Sequence, residues 1–425
     1  MRVANRTTSK RGNYRLKSGG LSARVGASTN YMLLIILLSY WITGCAGFEG
    51  GDHSPSSTGM HQSPEWRNGR FRNSTPTWSN IKKAVVEEVL GPRPPNTKPT
   101  KPILVFSSHG EALSSPPHSG LRVTWFGHSS ALVEVDGVKL LIDPFWGSRA
   151  SPLSWMGPKR WYAPPIALNE LPHIDAVLIS HNHYDHLDFS TISVMRSWKT
   201  IFIVPMGVRS TLVSWGIPES RIVELDWWQS TRLGTLELVA TPARHESGRF
   251  LAQIDKTLWA GWAIIGPQHR VWYSGDTGFD SDFLTIGERL GPFDVTLIEV
   301  GEYGKYWPDF HLGPEQAVEV NNQVRGKVMI PVHWGLIRLA DHGWTEPAER
   351  VLAAAKCQRA EVMIPHPGES IEPTEHPQIP PWWPHLPWHS QDVDPILSTK
   401  NSDPSERFEM PRCISREPAV APHTN

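Results

Sequence analysis

From residue 121 onward the chain breaks into short apolar segments separated by turn residues, a strand-forming pattern with helices interspersed. Residues 122–126 and 130–135 predict two strands. The second pairs with 139–142 through an Asp136-Gly137 hairpin turn, which Asp143-Pro144 closes. The run 176–179 predicts a further strand, as do 200–204, 234–241, 270–273, 327–330 and 361–364, with helices over 189–198, over 208–215 and after Glu346-Pro347. Such alternation predicts an α/β domain spanning residues 121–372.

The flanks lack this pattern. Residues 46–120 are rich in Ser, Pro, Gly, Asn and Thr, and only 81–90 has helical spacing, so the segment reads as a tether with one short helix. From 373 to 425 Pro, Trp and His occur without period, which predicts a Pro-rich, largely disordered tail. At the other end residues 1–31 are basic and carry no acidic side chain, and an apolar stretch follows from Met32 to Ile42-Thr43-Gly44-Cys45. A basic region before a short apolar one is an export signal, and small residues ahead of Cys45 match a bacterial lipobox. Residues 1–45 are therefore expected to direct export and lipidation, with Ala46 compatible with outer-membrane anchoring. The apolar stretch is about half the length of a spanning helix.

Composition narrows the function. The 425 residues are 39% hydrophobic, enough for a sizeable core, and 41 Lys plus Arg balance 42 Asp plus Glu. That balance offers no general electrostatic footprint for nucleic acid. Three cysteines, Cys45, Cys357 and Cys413, are too few and scattered for a disulfide framework or a Cys-rich zinc site. Cys357, among apolar neighbours, is expected as a packed thiol. The aromatic stretch 145–165, with Trp146, Trp155, Trp161 and Tyr162, reads as a long loop suited to lining a substrate cleft.

The candidate chemistry sits directly after the run 176–179, in His181-Asn182-His183-Tyr184-Asp185-His186. In an extended segment His181 and His183 point the same way and can ligate one cation, while a turn at Asp185-His186 aims a carboxylate and a third imidazole at a second. This density of donors predicts a metallohydrolase. The pattern recurs: 234–241 runs into His245, 270–273 into Asp276 and 327–330 into His333. Strands that end in ligand-type residues are how a sheet scaffold converges distant sequence on one edge.

These residues resemble the metallo-β-lactamase superfamily, in particular its N-acylphosphatidylethanolamine-hydrolysing phospholipase D branch and bacterial lipoprotein relatives. Further similarity lies in Trp125-Phe126-Gly127-His128-Ser129-Ser130, Asp143-Pro144-Phe145, Gly157-Pro158-Lys159-Arg160, Ser274-Gly275-Asp276-Thr277-Gly278 and His333-Trp334-Gly335. The resemblance implies a four-layer αββα sandwich and two metal sites. His181, His183 and His245 would form the first, Asp185, His186 and His333 the second, with Asp276 bridging. Two Zn2+ suit these donors, and iron or manganese would also accept them. The resemblance further implies catalytic roles for Asp185, Asp276 and His311, and makes His128 a hydrogen-bonding neighbour rather than a ligand; His342 is a weaker candidate.

The expected reaction is attack by metal-activated hydroxide on a phospholipid phosphodiester of the N-acylphosphatidylethanolamine type, with the membrane reached through the N-terminal lipid anchor. A lactone or ester hydrolase of the same superfamily is the alternative. From another class, an inactive metal-binding envelope lipoprotein is disfavoured by the complete ligand set.

Overall fold

The computed structural model describes residues 59–91, 94–107, 113–249 and 253–411. The expected signal segment and lipobox at Cys45 lie outside the described residues, as does 412–425 of the expected tail.

A small hairpin of β1 (Trp66–Arg67) and β2 (Arg70–Phe71) precedes two seven-stranded sheets. The first sheet contains β3 (Leu121–Gly127), β4 (Ser130–Val135), β5 (Val138–Ile142), β6 (Ala176–Leu178), β7 (Ile201–Pro205) and β8 (Ile222–Leu225). In it β3 to β5 pair antiparallel and β5 to β8 parallel. The second sheet contains β9 (Ser230–Leu233), β10 (Leu236–Thr241), β11 (Gly261–Ile265), β12 (Arg270–Tyr273), β13 (Phe293–Glu299), β14 (Gly326–Val332) and β15 (Glu361–Val362). Here β9 to β12 are antiparallel and β12 to β15 parallel. A last strand, β16 (Ser370–Ile371), adds to β3.

The strands are buried on both faces, and period two decides which face each side chain joins. On β4, Ala131, Val133 and Val135 share a core with Leu238, Ile264 and Val271 of the second sheet. Leu132, between them, instead packs with Ile192 and Leu212 of the helices α2 (Phe189–Val194) and α3 (Val208–Ser214), which follow α1 (Ile81–Leu90) in the chain. Trp262 of β11 donates its indole N–H to the Ile179 carbonyl at 3.0 Å, which ties the sheets face to face. Outside the second sheet lie α4 (Asp282–Leu290), α5 (Pro314–Gln323) and α6 (Glu346–Gln358), whose Ile286, Val318 and Val351 are buried. The result is an α/β fold with the layer order αββα. Each fully buried aliphatic side chain contributes about 1.5–3 kcal/mol, so the two-sided burial of the sheets supplies most of the apolar stabilisation.

The flanks differ from their expected character. Within the expected tether, Met60 and Phe71 are buried in the main core, and α1 begins at the expected Ile81, capped by the Asn80 side chain. Within the expected tail, Trp382 stacks on Trp334 at 5.6 Å and Ile396, Ser398 and Thr399 are buried. Single aromatic or aliphatic residues that dock on a distant core leave no periodic trace, which is why these segments read as loose. Cys357, expected as a packed thiol, is exposed and disulfide-bonded.

Candidate metal centre

Strand direction gathers the site. In the first sheet β3, β5 and β6 run the same way, and His128, Asp143 and His181 follow their carboxyl ends. In the second, β10, β12, β13 and β14 share a direction and lead to His245, Asp276, Glu299 and His333. At Gly275 the backbone turns with φ +61°, and a Cβ there would stand 2.7 Å from the Ala260 carbonyl oxygen; the bare backbone lets Asp276 turn inward.

The donor atoms form two adjoining sets. His183 Nδ1 lies 2.8 Å from His181 Nε2 and 3.4 Å from His245 Nε2. Asp185 Oδ2 lies 3.2 Å from His186 Nε2 and 3.6 Å from His333 Nε2. Between the sets, Asp276 Oδ2 is 3.1 Å from His186 Nε2, 3.0 Å from His333 Nε2, and 3.8 Å from both His181 Nε2 and His245 Nε2. All seven residues expected as ligands are thus brought together; His181, His183 and His245 form one grouping that could hold a metal ion, Asp185, His186 and His333 with His128 another, and Asp276 joins His181 and His186 in a third.

Outer hydrogen bonds aim the rings. His186 Nδ1–H donates to Asp143 Oδ2 at 2.7 Å and His245 Nδ1–H to the Phe310 carbonyl at 2.9 Å. Ser180 Oγ donates to Asp143 at 2.5 Å and accepts from His181 Nδ1 at 2.9 Å. For His181 and His245 this leaves the opposite nitrogen as a lone pair facing inward, and for His186 it turns Nε2 toward Asp276. His186 Nε2, His333 Nε2 and Asp276 Oδ1 are buried and make no hydrogen bond of regular geometry, although Asp276 Oδ2 stands 3.1 and 3.0 Å from the two nitrogens. Buried polar atoms seldom go unpaired, so these three point to a cation.

The electrostatics agree. Burial, reinforced by neighbouring imidazoles, holds His181 and His245 well below the usual histidine range, and burial holds His183 at about 4. These three are neutral imidazoles over the physiological range. Burial opposes charge on His186 and His333 too, but Asp276 and Asp185 outweigh it and raise both. The same imidazoles overcome burial to keep Asp276 and Asp185 ionised well below the usual carboxylate range. Two carboxylates and two imidazoles thus favour each other's charged forms where the two sets meet.

His128 donates its Nε2–H to Asp185 at 2.8 Å, and with Asp185, His186 and His333 it also forms a grouping that could hold a metal ion. His311 stands at the edge of the centre, its ring stacked on His333 at 5.0 Å and its Nδ1 2.8 Å from Glu299 Oε2. His342 stays apart: its Nε2 accepts from the Glu302 N–H and its ring stacks on Tyr303. Two buried carboxylates escaped the sequence reading. Asp143 figures in the sequence as the close of a hairpin and as part of a family motif, with no role assigned to its carboxylate. Glu299 ends β13, a strand not anticipated, although Phe293–Glu299 obeys the same rule of an apolar run ending in a ligand-type residue. Of the aromatic loop, Trp155 is 70% exposed, whereas Phe145 is buried against Leu336 and Ile337.

Residues 139–334 match the beta-lactamase superfamily domain. An uncharacterised protein of Mycobacterium tuberculosis is 44% identical over 345 residues, which cover 79% of this chain and 91% of that protein. The chain belongs to the metallo-β-lactamase superfamily. Within it the enzyme is 37% identical to the N-acyl-phosphatidylethanolamine-hydrolyzing phospholipase D 1 of Caenorhabditis elegans over 279 residues, covering 61% of this chain and 76% of the nematode protein. A solved metallo hydrolase of Ignicoccus hospitalis is 27% identical, with a TM-score of 0.46 over 59% of this chain and 97% of that one. The superfamily member described here is a metal-dependent hydrolase.

Proposed function

We propose that the enzyme hydrolyses a phosphodiester bond of a phospholipid, of the N-acylphosphatidylethanolamine class, with two zinc ions as cofactor. The observation that carries the chemistry is the convergence of seven donors from seven separate positions, with three buried atoms among them unpaired. His181, His183 and His245 would hold one ion, and Asp185, His186 and His333 the other, with Asp276 shared. When bound, two such ions lower the pKa of a shared water toward neutrality and offset charge on the phosphoryl oxygens. Asp185, fixed by His128, would orient the attacking water toward phosphorus. His311, whose charged form Glu299 favours over the cost of burial, donates a hydrogen bond to a phosphoryl oxygen from the rim. Similarity to the nematode phospholipase D supports the substrate class.

Elemental analysis of the purified chain, run beside an assay for phosphatidic acid released from N-acylphosphatidylethanolamine in mixed micelles, tests this reading. About two metals per chain and metal-dependent release are expected. His183→Ala or Asp276→Asn should each abolish release while leaving the far-ultraviolet circular dichroism intact. Near-normal turnover in either variant would refute the binuclear assignment.

The same reading has the enzyme exported and lipidated at Cys45, at the outer membrane. The disulfide at Cys357 supports export, since such bonds persist in oxidising compartments. Cys45→Ser should release the protein from the membrane fraction; a variant that stays membrane-bound would count against the anchor.

A further inference from the structure

A single guanidinium fills the hollow of the metal-binding loop. Arg249, 7% exposed, donates through Nη1 to the Leu187 carbonyl at 2.7 Å and the Asn182 carbonyl at 3.2 Å. Its guanidinium carbon is 4.0 Å from the centre of the Tyr184 ring and 4.9 Å from that of Trp215. The contact is reciprocal, because the Tyr184 hydroxyl donates to the Arg249 carbonyl at 3.0 Å. One residue earlier, the Gly248 N–H donates to Asn182 Oδ1 at 2.8 Å.

These bonds bracket residues 183–186. That turn contributes His183 to the first ligand set and Asp185 and His186 to the second. Its own closure rests on two backbone bonds to one acceptor, from His186 N and Leu187 N to the His183 carbonyl. The guanidinium adds what the turn lacks, a common donor for the carbonyls just before and just after it. The same segment also carries His245, so one stretch of chain supplies a ligand and the group that spaces the others.

We infer that Arg249 is a positioning residue of the metal centre, setting the separation of the two ligand sets by holding both ends of the 183–186 turn on one nitrogen. It contributes no electron pair to a metal, and the inference rests on the binuclear reading above. A lysine could reach one of the carbonyls, but its ammonium lacks the planar fork that lies against two aromatic rings while bonding in its own plane. Without the guanidinium the carbonyls of Asn182 and Leu187 lose their common donor and the turn is free to widen.

The test uses the full chain with Arg249→Lys and, separately, Tyr184→Phe, which keeps the ring and removes only the hydroxyl. Each is stripped and titrated with zinc against a chromophoric chelator, then loaded with cobalt for its visible spectrum. Metal-free melting curves are recorded in parallel. For Arg249→Lys the weaker zinc dissociation constant should rise about tenfold or more, the usual scale for groups that orient ligands, and the cobalt bands should move. Tyr184→Phe should shift both in the same direction by less. Wild-type zinc affinity and cobalt spectrum in both variants overturn the inference, as does a lowered melting temperature with metal binding unchanged. If Arg249→Lys does not fold, Tyr184→Phe decides alone. A wild-type chain that holds one ion refutes the binuclear reading; equal affinities in a wild type that holds two refute only the role of Arg249.

Discussion

His128 and Asp185 are joined by a 2.8 Å hydrogen bond between completely buried imidazole and ligand-set carboxylate, across 57 residues of sequence. The backbone on either side is also zipped: His128 N donates to the Trp334 carbonyl and His333 N to the His128 carbonyl. His128 holds φ at +53°, a conformation that asparagine tolerates well. His128→Asn therefore preserves the backbone and withdraws the ring nitrogen from Asp185. Zinc affinity should fall roughly 10- to 100-fold, measured by chelator competition. Unchanged affinity would mean that Asp185 needs no partner.

Asp143 collects four donors on one carboxylate: Ser180 N, Ser180 Oγ, His186 Nδ1 and the Tyr273 hydroxyl. It thus links the two sheets directly beside the candidate metal centre. Asp143→Asn puts an amide where donors converge, at about 1.5–3 kcal/mol for each charge-assisted bond lost. The urea midpoint should drop, and metal content with it. A variant as stable as wild type would exclude Asp143 as the organising acceptor.

Residues before Leu121 belong to the working unit. Phe71 is fully buried, and Asn73 both donates to the His245 carbonyl and accepts from its N–H, at 2.7 and 3.0 Å. A chain begun at Leu121 loses these contacts; deleting one buried Phe alone costs about 3–5 kcal/mol. It should be insoluble or lack a cooperative melt, whereas a chain begun at Gly59 should melt cooperatively. Calorimetry on the two chains separates the outcomes.

Asp282 provides a pH signature remote from the metals. Burial, with Asp280 and Glu65 nearby, raises its carboxyl to about 6. Since the folded value exceeds that of the unfolded chain, the folded state binds the proton more tightly, and stability is lost as pH rises from about 4 through 6. Asp282→Asn should melt higher than wild type at pH 8, with the difference vanishing near pH 4. The same difference at both pH values would remove the carboxyl as its cause.

Much of the site was legible because its information is local. The six residues 181–186 carry four donors in one loop, and His245, Asp276 and His333 each follow an apolar run, so strand ends could be read without knowing which strands pair. Hydrophobic period two likewise determined the strands that lead to the candidate metal centre. The tertiary structure alone decided the rest. Asp143, Glu299 and Arg249 act through partners 37, 12 and 67 residues away, at Ser180, His311 and Asn182, and their bonds follow from how two sheets stack rather than from neighbouring sequence. The flanks were misread for the same reason: Phe71 and Trp382 are held by a core whose shape exists only after folding, so no pattern in their own segments announces the burial. Composition and period set which elements form; the pairing of faces set which side chains meet.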